Sequence, residues 1–201
     1  MKRILLAALL GGLALFAWKS IAHVVLPLGQ SGIHEIPNEQ AILDAMRSTL
    51  GENASLYFFP AMGSAPGAMA EYDKKLAISP SGLLIYHPPG AKSLTAGQMV
   101  TELVTEILEA LLAAVLLSRT RIPTYWGRVG FVTLLGVIAS MATNLSYWNW
   151  YGFPIDYTAV YMAIEIVGFL CIGLVAAKLV FLGQGAPSGP LPAAGFQPAH
   201  S

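Results

Sequence analysis

Charge is scarce in this chain. Only 11% of its residues are Asp, Glu, Lys or Arg, while 55% are hydrophobic. Soluble domains carry roughly 25% charged residues, and a soluble fold with so few would struggle to cover its own surface. The mean hydropathy of +0.62 points instead to lipid as the solvent. Net charge is also missing: 11 basic residues balance 11 acidic ones, which removes the electrostatic case for a nucleic-acid partner. Cysteine is almost absent. Cys171 stands alone in an apolar run, so it forms no internal disulfide and no cysteine-based zinc site. Histidine offers no ligand spacing either. His34 and His87, with Met62 and Met69 between them, fit no haem motif and include no pair at i, i+4, so no metal is assigned and any cofactor is unknown.

Long apolar runs are what the sequence has instead. Four approach the ~20 residues needed to span a bilayer: Ile4–Leu26, Gln98–Ser118, Gly127–Trp148 and Tyr157–Leu182. The predicted fold is a mainly α membrane protein. It has four transmembrane helices and a small α+β extracytoplasmic insertion between helices 1 and 2. The segments are helix 1 in 1–26, the periplasmic domain in 27–97, helices 2–4 in 98–182 and a tail in 183–201. The first run also fits a signal peptide, with Lys2-Arg3 as the basic region and Ser20-Ile21-Ala22 as a cleavage-like site. The apolar stretch continues past that site to Leu26, which favours a retained span.

Lys and Arg near span ends set the direction. Lys2 and Arg3 precede the first span, Arg119, Arg121 and Arg128 flank the second connection, and Lys178 lies near the end of the fourth. The connection 149–156 has none. Both termini are therefore expected in the cytoplasm, with 27–97 and 149–156 outside. Trp126 on the inner side, and Trp148, Trp150 and Tyr151 on the outer side, are expected as anchors in the headgroup layer, where amphipathic rings prefer to sit.

Within 27–97, Ile42, Leu43, Met46 and Leu50 give a helical stripe over Glu39–Leu50, and Pro66–Leu76 reads as a second helix. Leu56–Phe59 and Leu83–Tyr86 are short β-prone runs bounded by turn formers, which predicts a two-stranded ribbon. Such a domain buries little surface alone, so it should lean on the bundle or on a partner. Gly183–Ser201, rich in Gly, Pro, Ala and Ser, reads as a disordered cytoplasmic tail.

The spans themselves hold charges, which rarely face lipid. Glu102, Glu106 and Glu109 fall within about 60° of one another on a helix. Lys19 and His23 are at i, i+4 in the first span. Asn144 aligns with Ser140 and Tyr147 in the third, and Glu165 with Tyr161 and Gly168 in the fourth. Lys19, Glu106, Asn144 and Glu165 all lie ~9–13 Å below the outer ends of their spans. The expectation is an intramembrane polar cluster of Lys19, His23, Glu102, Glu106, Glu109, Asn144 and Glu165, with Lys19 paired to Glu106 or Glu165. One reading makes the cluster a structural register device. The other makes it a proton or cation path, or a pocket for a cofactor headgroup. A carboxylate-bridged di-iron site needs Glu-x-x-His on two helices, and no span has it.

The run Ser146-Tyr147-Trp148-Asn149-Trp150-Tyr151-Gly152-Phe153-Pro154, with Tyr57-Phe58-Phe59-Pro60 upstream, resembles a family of bacterial four-helix integral membrane proteins without an assigned activity. The resemblance covers roughly residues 1–182. It implies one helix, a small outer domain, three further helices and the bacterial inner membrane, and it supplies no catalytic residues.

The functional expectation is a non-enzymatic accessory or assembly subunit of a larger membrane complex, whose partners are the lipid bilayer and other membrane subunits. One alternative is a small transporter or channel-like protein that uses the Glu/Lys/His cluster. Another is a redox subunit whose cofactor is held through His23.

Overall fold

A computed structural model describes residues 1–181. It is mainly helical with one small sheet. Helix α1 runs Lys2–Ser20 and continues into a wider π-helical turn, Ile21–Val25, where the Leu26 N–H donates to the Ile21 carbonyl at 2.9 Å. Then come α2 (Gln40–Leu50), β1 (Ser55–Phe59), α3 (Ala68–Ile78) and β2 (Gly82–Tyr86). Helices α4 (Ala96–Ser118), α5 (Tyr125–Tyr151) and α6 (Ile155–Phe181) complete the described chain. The predicted ribbon and both small helices form, with α3 displaced two residues along the chain from its expected position. The end of the fourth predicted span at Leu182 and the tail 183–201 lie outside the described residues.

One expectation is met only in part. Four spans were predicted, but three helices are long and apolar enough to cross a membrane: α1 with its π turn (Lys2–Val25), α5 and α6 (Ile155–Val180). Helix α4 has the length, at 23 residues, but Glu102, Glu106 and Glu109 place too much charge in its apolar run.

Capping fixes where the helices start. The Thr95 side chain accepts from the Gln98 N–H, and the Gln98 side chain accepts from the Thr95 N–H, a reciprocal box that satisfies two orphan donors at the head of α4. The Thr124 hydroxyl accepts from the Gly127 N–H at 3.1 Å at the head of α5. Gly152 ends α5 at φ +69, a conformation that side chains with a Cβ seldom adopt, and so lets the chain reverse into α6.

The long helices form one bundle in which α1 packs on α4 and α6, and α6 packs on α5. Small residues set the spacing. A Cβ on Gly12 would sit 2.6 Å from the Ile107 Cα, so α1 and α4 meet almost backbone to backbone there. Gly168 accommodates Leu15, Gly136 accommodates Phe169, and Gly173 lies against the Val129 carbonyl. Around these crossings Ala7, Ala110, Ala113, Ala114 and Ala176 pack with Leu15, Leu117, Val132 and Ile172 as the core. Small side chains allow the close approach that van der Waals packing between helices needs. Two cross-helix bonds add specificity: Trp18 Nε1 donates to the Ile164 carbonyl at 2.8 Å, and the Tyr125 hydroxyl donates to the Leu174 carbonyl at 3.0 Å.

The small domain sits at the end of the bundle where α1 and α5 finish and α4 and α6 begin. Its strands pair antiparallel, with Leu56 opposite Ile85 and Phe58 opposite Leu83. Because strand side chains alternate, one face carries Leu56, Phe58, Leu83 and Ile85, and the other Tyr57, Leu84 and Tyr86. Tyr86 anchors that second face by donating to the Gly51 carbonyl at 2.8 Å.

Candidate functional site

The polar seam assembles where α1 crosses α4. Lys19 Nζ lies 3.3 Å from Glu102 Oε1 and 3.5 Å from Glu106 Oε1. The three side chains differ in surroundings: Glu106 is 0% exposed, Lys19 19% and Glu102 53%. Neither Glu106 oxygen accepts a hydrogen bond, and Glu109 Oε2 is buried without one. Lys19 is therefore the cation that compensates a fully buried carboxylate, while Glu102 tethers the ammonium from the rim. The local cause is the Gly12–Ile107 approach one to two turns away, which brings the face of α4 that carries Glu106 against α1.

Glu109 and Glu165 also lie near enough to Lys19 to act on its charge through space, whereas Asn144 and His23 make their contacts elsewhere. Glu165 on α6 is half-buried and makes no ion pair among the described residues. Asn144 donates to the Ser140 carbonyl of its own helix at 3.0 Å and does not reach Lys19. His23 sits in the π turn, where its ring meets Tyr161 edge-on at 5.7 Å. A Cβ on Gly29 would overlap the His23 imidazole, so that glycine makes room for it, and the Gly29 carbonyl accepts from the Tyr161 hydroxyl at 3.1 Å. Among the described residues no three His, Cys, Asp or Glu side chains gather as a metal site would require.

Tyr147 and Tyr161, expected on the seam faces, and Tyr151, expected as an anchor, belong to one run of aromatic rings. From His23 it goes to Tyr161, which stacks on Tyr157 at 4.1 Å. Tyr157 meets Phe153 at 5.3 Å, Phe153 stacks on Tyr147 at 5.3 Å, and Tyr147 meets Tyr151 at 6.0 Å. The sequence does carry a signal for it, since Tyr147 and Tyr151, and Tyr157 and Tyr161, are i, i+4 pairs on either side of one tight reversal. These rings form one wall of a cleft of about 590 Å³, with Leu56, Leu83 and Ile85 of the ribbon opposite and Thr143 and Asn144 at its helical end. A second cavity, of about 360 Å³, lies beside it between Phe58 and Tyr72 of the small domain and Trp150 and Tyr151 of α5.

The other residues expected as anchors are exposed at the two ends of α5. Trp126 is at one end, edge-on to Tyr125 at 5.1 Å, and Trp148 and Trp150 are at the other. No family model, curated protein or solved structure matches the chain. The class its own geometry defines is a small helical bundle with an ion-paired seam and an insertion domain seated at one end.

Proposed function

We propose that the chain is a multi-pass protein of the bacterial inner membrane and serves as a non-enzymatic accessory or assembly subunit. In this reading all four long helices cross the bilayer, α4 included. Its carboxylates do not bar it, because Glu106 turns inward to Lys19 while Val100, Val104, Leu108 and Leu112 present an exposed apolar stripe on the side away from Glu106. A helix that hides its charge against a neighbour and offers lipid an aliphatic face meets both demands of the membrane interior. Both termini then lie in the cytoplasm and the small domain outside, in keeping with the distribution of Lys and Arg.

The observation that carries the subunit reading is the small domain's lack of a core. No residue of α2 or α3 is buried, and Tyr86 alone is buried in the ribbon. Ile42, Leu43, Met69 and Ile78 all stand exposed, although α2 and α3 are formed and placed. Apolar groups left open on an ordered domain mark a surface that another protein covers. Membranes solubilised in mild detergent test this on native gels. The wild-type chain should run in a larger assembly, and Ile42→Ser with Leu43→Ser should release it as a folded smaller species. A chain that runs alone before and after the substitutions contradicts the proposal.

A second reading has its own support. The seam holds more carboxylates than cations, and Glu106 has no hydrogen-bond donor. A site that moves a cation or proton would use that excess. Reconstituted vesicles discriminate the two: uptake that Glu106→Gln abolishes, with the assembly intact, favours transport.

A further inference from the structure

We propose that the cleft between the ribbon and the ends of α5 and α6 binds a flat aromatic amphiphile, a ring system with a hydrogen-bonding edge and a short apolar substituent. The argument begins with its two walls. On one side Leu56, Leu83 and Ile85 form an entirely aliphatic surface. They belong to one face of the ribbon and are turned toward the bundle, yet Leu56 and Ile85 remain largely exposed, at 61% and 72%. The ribbon is thus held over the helix ends without closing on them, and about 590 Å³ is left between. That volume lies within the usual 300–1,000 Å³ range of small-molecule pockets.

The opposite wall is built from rings in series. Tyr161, Tyr157, Phe153 and Tyr147 follow one another at stacking or edge distances. Ring faces and edges laid out in this way favour another ring, which gains from offset and edge-to-face contact beyond simple burial. A flexible alkyl chain gains none of that.

Hydrogen-bonding groups line the cleft as well, Asn144 and several tyrosine hydroxyls among them. Asn144 uses one amide N–H on its own helix, at 3.0 Å from the Ser140 carbonyl, and its carbonyl oxygen accepts from no protein group among the described residues. The Tyr147 hydroxyl likewise forms no hydrogen bond there. A pocket with one aliphatic wall, one ring wall and a few convergent polar atoms fixes both the shape and the polarity of its occupant. The tight reversal at Gly152 keeps the two rows of tyrosines in position, with α5 ending at one side of the cleft and α6 starting at the other.

The test uses the purified full-length chain in mild detergent, with a 1,4-naphthoquinone bearing one short alkyl substituent as the probe. Equilibrium dialysis should show saturable binding at one site per chain. Leu56→Trp fills the cleft from an exposed ribbon position outside the bundle core, and should weaken binding at least tenfold while the thermal melt is unchanged. Asn144→Leu should weaken it several-fold, and Trp126→Leu at the far end should leave it unaltered. A ring-free alkyl alcohol of equal carbon number should fail to displace the probe. The proposal is overturned by the absence of saturation or by unchanged affinity in Leu56→Trp. Equal displacement by the alkyl alcohol would make the cleft a lipid groove. A cross-link from Leu56→Cys to a second copy or to another polypeptide would give it a protein occupant, and either result also overturns the proposal.

Discussion

Replacing Lys19 with methionine keeps the volume of the side chain and removes its charge. Glu106 is 0% exposed and has no hydrogen-bond donor, so the substitution leaves a buried carboxylate without compensation. Breaking a buried pair from one side typically costs about 3–5 kcal/mol. Glu102 contributes little to that figure. Its side chain is 53% exposed, and exposed pairs contribute about 0.2–1 kcal/mol. Glu106→Gln alone should be milder than Lys19→Met, because Lys19 retains Glu102 and is itself 19% exposed. Combining Lys19→Met with Glu106→Gln leaves no stranded charge, so the double variant should be more stable than the sum of the singles predicts, by roughly 1–3 kcal/mol. The same cycle with Glu102→Gln should give a coupling under about 1 kcal/mol. The cycle with Glu165→Gln should give a smaller coupling than Glu106 does, because Glu165 acts on Lys19 from beyond ion-pair distance. Unfolding of the purified protein in mixed micelles, followed by tryptophan fluorescence, measures all three couplings. A Glu165 coupling as large as that of Glu106, or strict additivity for Glu106, would refute the pairing.

Two further substitutions probe the bundle itself. Gly12→Val must push apart α1 and Ile107, whose Cα lies 2.6 Å from the added Cβ, and overpacking of this kind typically costs about 1–3 kcal/mol or more. Gly130→Ala, on α5 with nothing within 4 Å of the new methyl, should instead be neutral or stabilise by about 0.5–1 kcal/mol in the same unfolding assay. Thr95→Ala removes both hydroxyl and capping box at the head of α4, and should lower stability by about 1 kcal/mol. Hydrogen exchange should then show faster opening in the first turn of α4 and no change in α6.

The elements of this fold were legible because each rests on local pattern. Apolar length marked the long helices, and short β-prone runs bounded by turn formers marked β1 and β2. The facing of Lys19 toward Glu106 was legible too, since their depths match and the carboxylates of α4 share one narrow face. Glu165 acts on Lys19 through space without reaching ion-pair distance. Depth along the axis follows from counting residues, but rotation about the axis depends on how Gly168 seats against Leu15. His23 shares a face with Lys19 only if α1 stays α-helical. The π turn at Ile21–Val25 changes the angle per residue and aims the imidazole at Tyr161. The cleft was invisible because its walls come from residues far apart in the chain, and no spacing rule joins Leu56 to Tyr147.

The central claim is that α4 crosses the bilayer in spite of its carboxylates, and one labelling experiment tests it directly. In a Cys171→Ser background, single cysteines are placed at Ala65 in the small domain and at Ile122 between α4 and α5. Intact cells or spheroplasts are treated with a membrane-impermeant thiol reagent before and after permeabilisation. If α4 spans, Ala65→Cys is labelled at once and Ile122→Cys only after permeabilisation. If α4 lies on the surface, the two positions share one side of the membrane. Equal labelling of both in intact cells would contradict the account.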